Sequence, residues 1–168
     1  MQKVGNKMNS TENKIAIHSG TESNKQRLLN KYPNLDKFFF GDGRLVIAED
    51  GNDIVGFLWA HKRKIPAPVE AEEMFINYIE VFEPELRCNG IGTQMIQKII
   101  EIAKAEQVYQ IRAKVRIENA TSHRLWLKNK FSINPAQMPD GNIAVSFVGM
   151  FYNLRGRVWN KTALFLLQ

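Results

Sequence analysis

The stretch with the clearest chemical content is Phe82-Glu83-Pro84-Glu85-Leu86-Arg87-Cys88-Asn89-Gly90-Ile91-Gly92-Thr93. A run of strand-forming residues ends here, the chain turns through two glycines, and an apolar pattern of helical period begins. The first turn of a helix has backbone N–H groups without intrahelical partners, and the helix dipole adds partial positive charge, so such a junction binds anions. Gly90 and Gly92 remove side chains where a diphosphate would touch the backbone, Arg87 adds a full positive charge, and Thr93 offers a hydroxyl donor. A nucleoside triphosphate loop needs Gly-x-x-x-x-Gly-Lys-Ser/Thr, and no lysine follows these glycines. A dinucleotide loop needs Gly-x-Gly-x-x-Gly, and Met95 holds the third glycine position. The pattern left is Arg-x-x-Gly-x-Gly behind a strand.

The elements around this junction must hold it in place. Thr21 caps a short helix over residues 21–31, which Tyr32-Pro33 ends, and Phe38–Phe40 then approach the core. Apolar runs at 45–48 and 54–60 flank Asp50-Gly51-Asn52-Asp53, which is strong turn chemistry, so the two form an antiparallel hairpin. Residues 64–71, with Pro66 and Pro68, read as a loop, and 74–82 as a third strand closed by Pro84. From Ile91, apolar residues at Met95, Ile96, Ile99, Ile100 and Ala103 mark one face of a helix. Ile111, Ala113, Val115 and Ile117 alternate with Arg112, Lys114 and Arg116, the period of a half-buried strand. Asn119 caps a helix over 120–130, and strands follow at 131–136 and 143–152. The order predicts an α/β (α+β) domain: a mixed, mostly antiparallel central sheet flanked by helices. It is expected to span 15–152, after a polar, disordered leader at 1–14 and before a C-terminal extension at 153–168 of unassigned structure.

Bulk properties narrow the partners. The chain has 168 residues, 44% hydrophobic and 24% charged, as an ordinary globular protein does. No apolar run approaches membrane-spanning length, and the N-terminus lacks the apolar stretch of a signal sequence, so the cytoplasm is expected. The single cysteine, Cys88, excludes an internal disulfide or a cysteine-cluster metal site. His18, His61 and His123 lack ligand spacing, so no metal is expected. The net charge of +6 suits an anionic partner, but its basic residues are scattered, which argues against nucleic acid.

Arg87-Cys88-Asn89-Gly90-Ile91-Gly92 resembles the coenzyme A pyrophosphate loop of the GNAT acetyltransferases, Gln/Arg-x-x-Gly-x-Gly/Ala. The likeness reaches upstream to Pro84, Phe82 and Val81. One helix and one strand later, Asn119-Ala120-Thr121-Ser122-His123-Arg124-Leu125-Trp126-Leu127-Lys128-Asn129-Lys130-Phe131 is similar to the family's Asn-x-x-Ala-x-x-Leu-Tyr-x-x-x-Gly-Phe motif. The resemblance implies the GNAT fold, acetyl-CoA as co-substrate, and transfer of its acetyl group to a primary amine of a small molecule or peptide in a ternary complex. The alternative it leaves is a coenzyme A-binding regulatory or degenerate module. A homodimer is a family habit.

The resemblance also assigns roles. Arg87, Cys88, Asn89, Gly90, Ile91, Gly92 and Thr93 would form the pyrophosphate loop. The pantetheine arm would enter between two splayed strands, with the backbone amides of Val81 and Phe82 binding the arm and the acyl carbonyl. Asn119 would contact the cofactor. Glu80 is the candidate base, with Tyr78, two residues back, the next choice. Trp126 stands where the family often has the tyrosine that protonates the leaving thiolate, and an indole cannot. Water, Tyr152, Tyr78 or the substrate itself would then protonate the thiolate, while Trp126 walls the acetyl pocket or packs in the core. The acceptor side would be built from residues 21–43, 64–73 and 134–142. Phe38–Phe40 and Trp59 are candidate pocket walls there, and Glu70, Glu72 and Glu73 candidate attractants for a cationic amine.

Overall fold

The computed structural model describes residues 15–137 and 140–147. The leader at 1–14, the tail at 153–168 and Tyr152 lie outside the described residues. The elements run β1 (Ala16–Ser19), α1 (Glu22–Lys31), a 3-10 helix (Pro33–Phe38), β2 (Asp42–Asp50), β3 (Asp53–Ile65), β4 (Ala71–Val81), a 3-10 turn (Pro84–Leu86), α2 (Ile91–Ala105), β5 (Gln110–Arg116), α3 (Ala120–Lys128), β6 (Ser132–Gln137) and β7 (Asn142–Phe147). Each expected helix and strand has a counterpart, the strand expected over 143–152 being described as far as Phe147, with 148–152 outside the described residues. One strand is additional: β1 pairs antiparallel with β2 over four residues. The segment expected as a loop at 64–71 is shorter, because β3 extends to Ile65 and β4 starts at Ala71.

The seven strands form one sheet in the order β1-β2-β3-β4-β5-β7-β6. All neighbours are antiparallel, with hairpins joining β2 to β3, β3 to β4 and β6 to β7, except that β4 and β5 run parallel with α2 as the crossover between them. The two faces are covered by different helices. On one face the apolar stripe of α2, from Ile91 through Met95, Ile96, Ile99 and Ile100 to Ala103, packs with Trp126 of α3 onto Met74, Ile76, Ile111, Ala113 and Val115. On the other, α1 and the 3-10 helix bring Leu28 and Leu35 against Leu45, Ile47, Phe57 and Trp59, with Tyr78 and Phe82 at the edge. α1 is held at its start by a capping box between Thr21 and Asn24.

Two departures from regular pairing shape the centre. Opposite β3, Ile76 pairs with Ala60 and Tyr78 with Trp59, which leaves Asn77 as the extra residue of a bulge. Asn77 and Tyr78 therefore both face the α1 side: Asn77 Nδ2 donates to Phe38 O at 3.3 Å, and the Tyr78 ring stacks on Phe38 at 4.1 Å. The pairing of β4 with β5 covers Glu73–Ile76 and Gln110–Ala113 and stops where the bulge begins. Beyond it β4 stays with β3 as far as Val81, while β5 stays with β7 as far as Arg116. The sheet opens between them, toward the ends of both strands.

Candidate active site

At the end of β4 the Phe82 N–H donates to Val55 O of β3 at 2.9 Å. Successive amides of a strand point to opposite edges, so the Val81 N–H and C=O face the opening between β4 and β5. The expected pair of acyl-binding amides is thus corrected: Phe82 gives its amide to the sheet, and Val81 presents its own to the gap. Arg87 supports the same direction, because its Nε donates to Val81 O at 2.9 Å and its Nη2 to Phe82 O at 3.2 Å. Its guanidinium lies back along the strand end and ties the loop to β4.

The loop itself is built on left-handed backbone. Cys88 has φ of 64° and Gly90 a φ of 87°, and α2 starts at Ile91. The first backbone bond of the helix is Gln94 N to Gly90 O at 3.0 Å, so the N–H groups of Ile91, Gly92 and Thr93 precede any intrahelical acceptor. No acidic residue stands in this first turn to answer the dipole. Asn89 braces the loop by donating to Glu85 O at 3.2 Å. Gly90 is favoured by its φ, whereas a Cβ on Gly92 would meet Leu125 Cδ2 of α3 at 3.4 Å, an ordinary van der Waals contact, so packing against α3 does not itself require glycine there. Cys88 is exposed, and Ile91 is buried in the core below the turn.

Glu80 lies next to Val81, one strand-face over, with its side chain one-third exposed. Tyr78 Oη donates to Glu80 Oε2 at 2.7 Å, and Arg87 Nη2 is 4.0 Å from Glu80 Oε1. Burial, reinforced by the bond to Glu80, pushes the Tyr78 phenol up to about 12. It is therefore protonated across the neutral range. That corrects its standing as a second base: beside Glu80 it is a donor. Around the pair, Tyr32 stacks on Phe82 at 4.4 Å and Phe57 packs against both Tyr78 and Phe82.

Asn119 caps α3, accepting from Ser122 N at 3.0 Å, and is exposed at the end of β5. Trp126 is only 2% exposed; its indole N–H donates to Ser122 Oγ at 2.9 Å and its ring packs on Phe131. It is a core residue, and its expected place in the cofactor site is corrected accordingly. Two acceptor-side expectations change too, while Glu72 stays half exposed. Trp59 is buried with its Nε1 on Phe40 O. Glu73 is buried in β4 and bound by Arg63, Gln110 and Arg112. Glu72 pairs with Lys62. Sequence reading missed Asn77 and Tyr32; the bulge has no local signature, and Tyr32 was read only as a helix stop.

A family model for the acetyltransferase (GNAT) family matches residues 14–131. L-2,4-diaminobutyric acid acetyltransferase of Shouchella clausii (strain KSM-K16) is 32% identical over 98 residues, which cover 58% of this chain and 51% of that protein. The chain thus spans about half the length of this curated relative. Among solved structures, Arabidopsis thaliana NAA60 in complex with acetyl-CoA superposes with a TM-score of 0.64 at 17% identity, covering 80% of this chain and 98% of that one. A Bacillus subtilis acetyltransferase in complex with CoA gives a TM-score of 0.59 at 19% identity, covering 82% and 100%. At these identities the two likenesses show the fold. Among the described residues, no helix is long and apolar enough to cross a membrane.

Proposed function

The chain belongs to the acetyltransferase (GNAT) family, and from that premise we propose that it transfers an acetyl group from acetyl-CoA to a primary amine of a small molecule. The observation that carries the reading is a convergence at one place. The opening between β4 and β5, the uncapped N-terminus of α2, and the carboxylate of Glu80 all meet at the end of β4.

The residues present fit the co-substrate. The amides of Ile91, Gly92 and Thr93 and the Thr93 hydroxyl would hold the pyrophosphate, and Asn119 would flank the arm at the end of β5. A thioester, when bound, supplies an acyl carbon open to attack and a thiolate leaving group. The chain's own part is then positional and protonic. Val81 N–H, fixed by the sheet before any reaction, donates to the acyl oxygen as negative charge grows on it. Glu80 takes the proton that the amine loses, directly or through one water. Tyr78 holds the carboxylate in place with a phenol that stays protonated, and the proton that Glu80 has taken from the amine can pass to the departing thiolate. Trp126 does not serve there, because it is packed in the core. The named substrate of the relative, a small diamino acid, is in keeping with a small-molecule amine.

Calorimetric titration of CoA tests the site. Micromolar binding is expected for the wild type. Thr93→Glu, which places a helix-compatible carboxylate at the third helical position, should weaken binding at least tenfold while circular dichroism stays unchanged. A folded wild type that does not bind CoA would overturn the reading.

A further inference from the structure

We propose that the acceptor carries a carboxylate, bound by Arg116 on the uncovered face of β5, and that the substrate class is therefore a diamino carboxylic acid. This rests on the acetyl-transfer reading above and deepens it.

β5 turns Ile111, Ala113 and Val115 into the core under α2, so Arg112, Lys114 and Arg116 stand on the α1 side of the sheet. α1 and the 3-10 helix cover β2, β3 and part of β4 on that side, and among the described residues no helix covers β5 or β7 there. A solvated strand face needs polar groups of any kind. Here every outward position of β5 from 112 to 116 is a cation. Their register partners on β7 are short: Ser146 beside Arg112, Ala144 beside Lys114 and Asn142 beside Arg116. Long cations beside short neighbours line this face of β5, Lys114 and Arg116 lying past the last residue paired with β4.

The three cations are not equivalent. Arg112 is 3.7 Å from the buried carboxylate of Glu73, and Lys114 is 2.6 Å from Asp140. Both charges are answered within the chain. Arg116 is exposed, and among the described residues its guanidinium has no partner; its backbone pairs with β7 at Asn142 and its carbonyl accepts from Asn119 N and meets His123 Nε2.

The register places Arg116 with respect to the reacting centre. Phe75 lies level with Arg112 and Ile76 with Ala113. Counting on along the two parallel strands, and allowing for the extra residue at Asn77, brings Arg116 level with Glu80, on the same face and across the opening. A ligand between them meets a carboxylate on the β4 side and an unanswered guanidinium on the β5 side. An amine fits the first and a carboxylate the second, the guanidinium being suited to grip a carboxylate through two N–H donors. Paired strands stand about 4.8 Å apart and these have parted further. An α-amino group is too close to its own carboxylate to reach both sides, so the reacting amine belongs to the side chain.

The test measures kcat/KM for acetyl transfer to diaminobutyrate, ornithine and lysine, each beside the diamine left when its carboxylate is removed. CoA binding is followed in parallel by calorimetry. For at least one pair the amino acid should exceed its diamine tenfold or more, chiefly through KM. Arg116→Gln should abolish that preference while CoA affinity and turnover of the diamine stay within twofold, and Arg116→Lys should restore part of it. Equal turnover within every pair, a preference that survives in Arg116→Gln, or no turnover of any member by protein that binds CoA would overturn the proposal. Failure to bind CoA at all would instead bring down the acetyltransferase reading beneath it.

Discussion

Glu80 and Tyr78 work as one unit because they are two residues apart on a strand and share a face, which a bulge at Asn77 turns toward α1. Since the phenol is pushed up to about 12, Tyr78→Phe should leave the tyrosinate absorbance unchanged as pH rises through 10; a difference appearing there would contradict the donor role. His18 makes a second titration visible. Its Nδ1 meets Ser19 O at 3.0 Å and its Nε2 meets Glu49 at 2.9 Å, so both ring nitrogens act as donors in the protonated form. These bonds, with Ser19 the larger cause, raise its pKa above 6.5. A group raised in the folded state stabilises the fold below its unfolded pKa, and that contribution is lost as pH rises through the folded value. The melting temperature of the wild type should therefore exceed that of His18→Gln near about pH 5.5 and the two should converge above about pH 8. A constant gap would mean that the ring contributes by packing alone. Cys88 supplies a third residue-scale expectation. It holds a φ of 64° that non-glycine residues adopt at a cost of about 1 kcal/mol. Cys88→Gly should raise the melting temperature and keep CoA affinity, and a drop would show that the thiol makes a contact of its own.

α2 was the most legible element, because all six residues of its apolar stripe are buried and the glycine turn before it fixes where it starts. What periodicity could not give was pairing. β1 has a single large apolar residue, Ile17, in four, and exists because β2 offers it an edge. The bulge at Asn77 and the parting of β4 from β5 are properties of two strands together, and neither strand alone encodes them. Trp126 misled for a related reason. Its motif position was legible, but which way it faces was decided by Phe131 and Ser122. Its burial predicts that Trp126→Ala costs about 3–5 kcal/mol of stability, by the usual scale for emptying an aromatic site. Trp126→Phe should keep the chemical step unchanged; a large fall in kcat in that folded variant would return the residue to the active site.

At the scale of the whole molecule, the sheet has two different faces. The face under α2 and α3 is the main core and ends at the uncapped N-terminus of α2, the proposed pyrophosphate site. The face toward α1 carries Tyr78, Glu80 and the cations of β5. β4 and β5 part between the two faces, and in the proposed reaction an acyl group reached from one side would meet there an amine held on the other. One measurement tests that account most directly: release of free CoA thiol from acetyl-CoA by the wild type and by Glu80→Gln, with and without an amine acceptor. Release that requires the amine, and that falls about a hundredfold in Glu80→Gln while CoA affinity is unchanged, is the expected result. Protein that binds acetyl-CoA tightly yet releases no thiol with any amine, or turnover indifferent to Glu80, would contradict it.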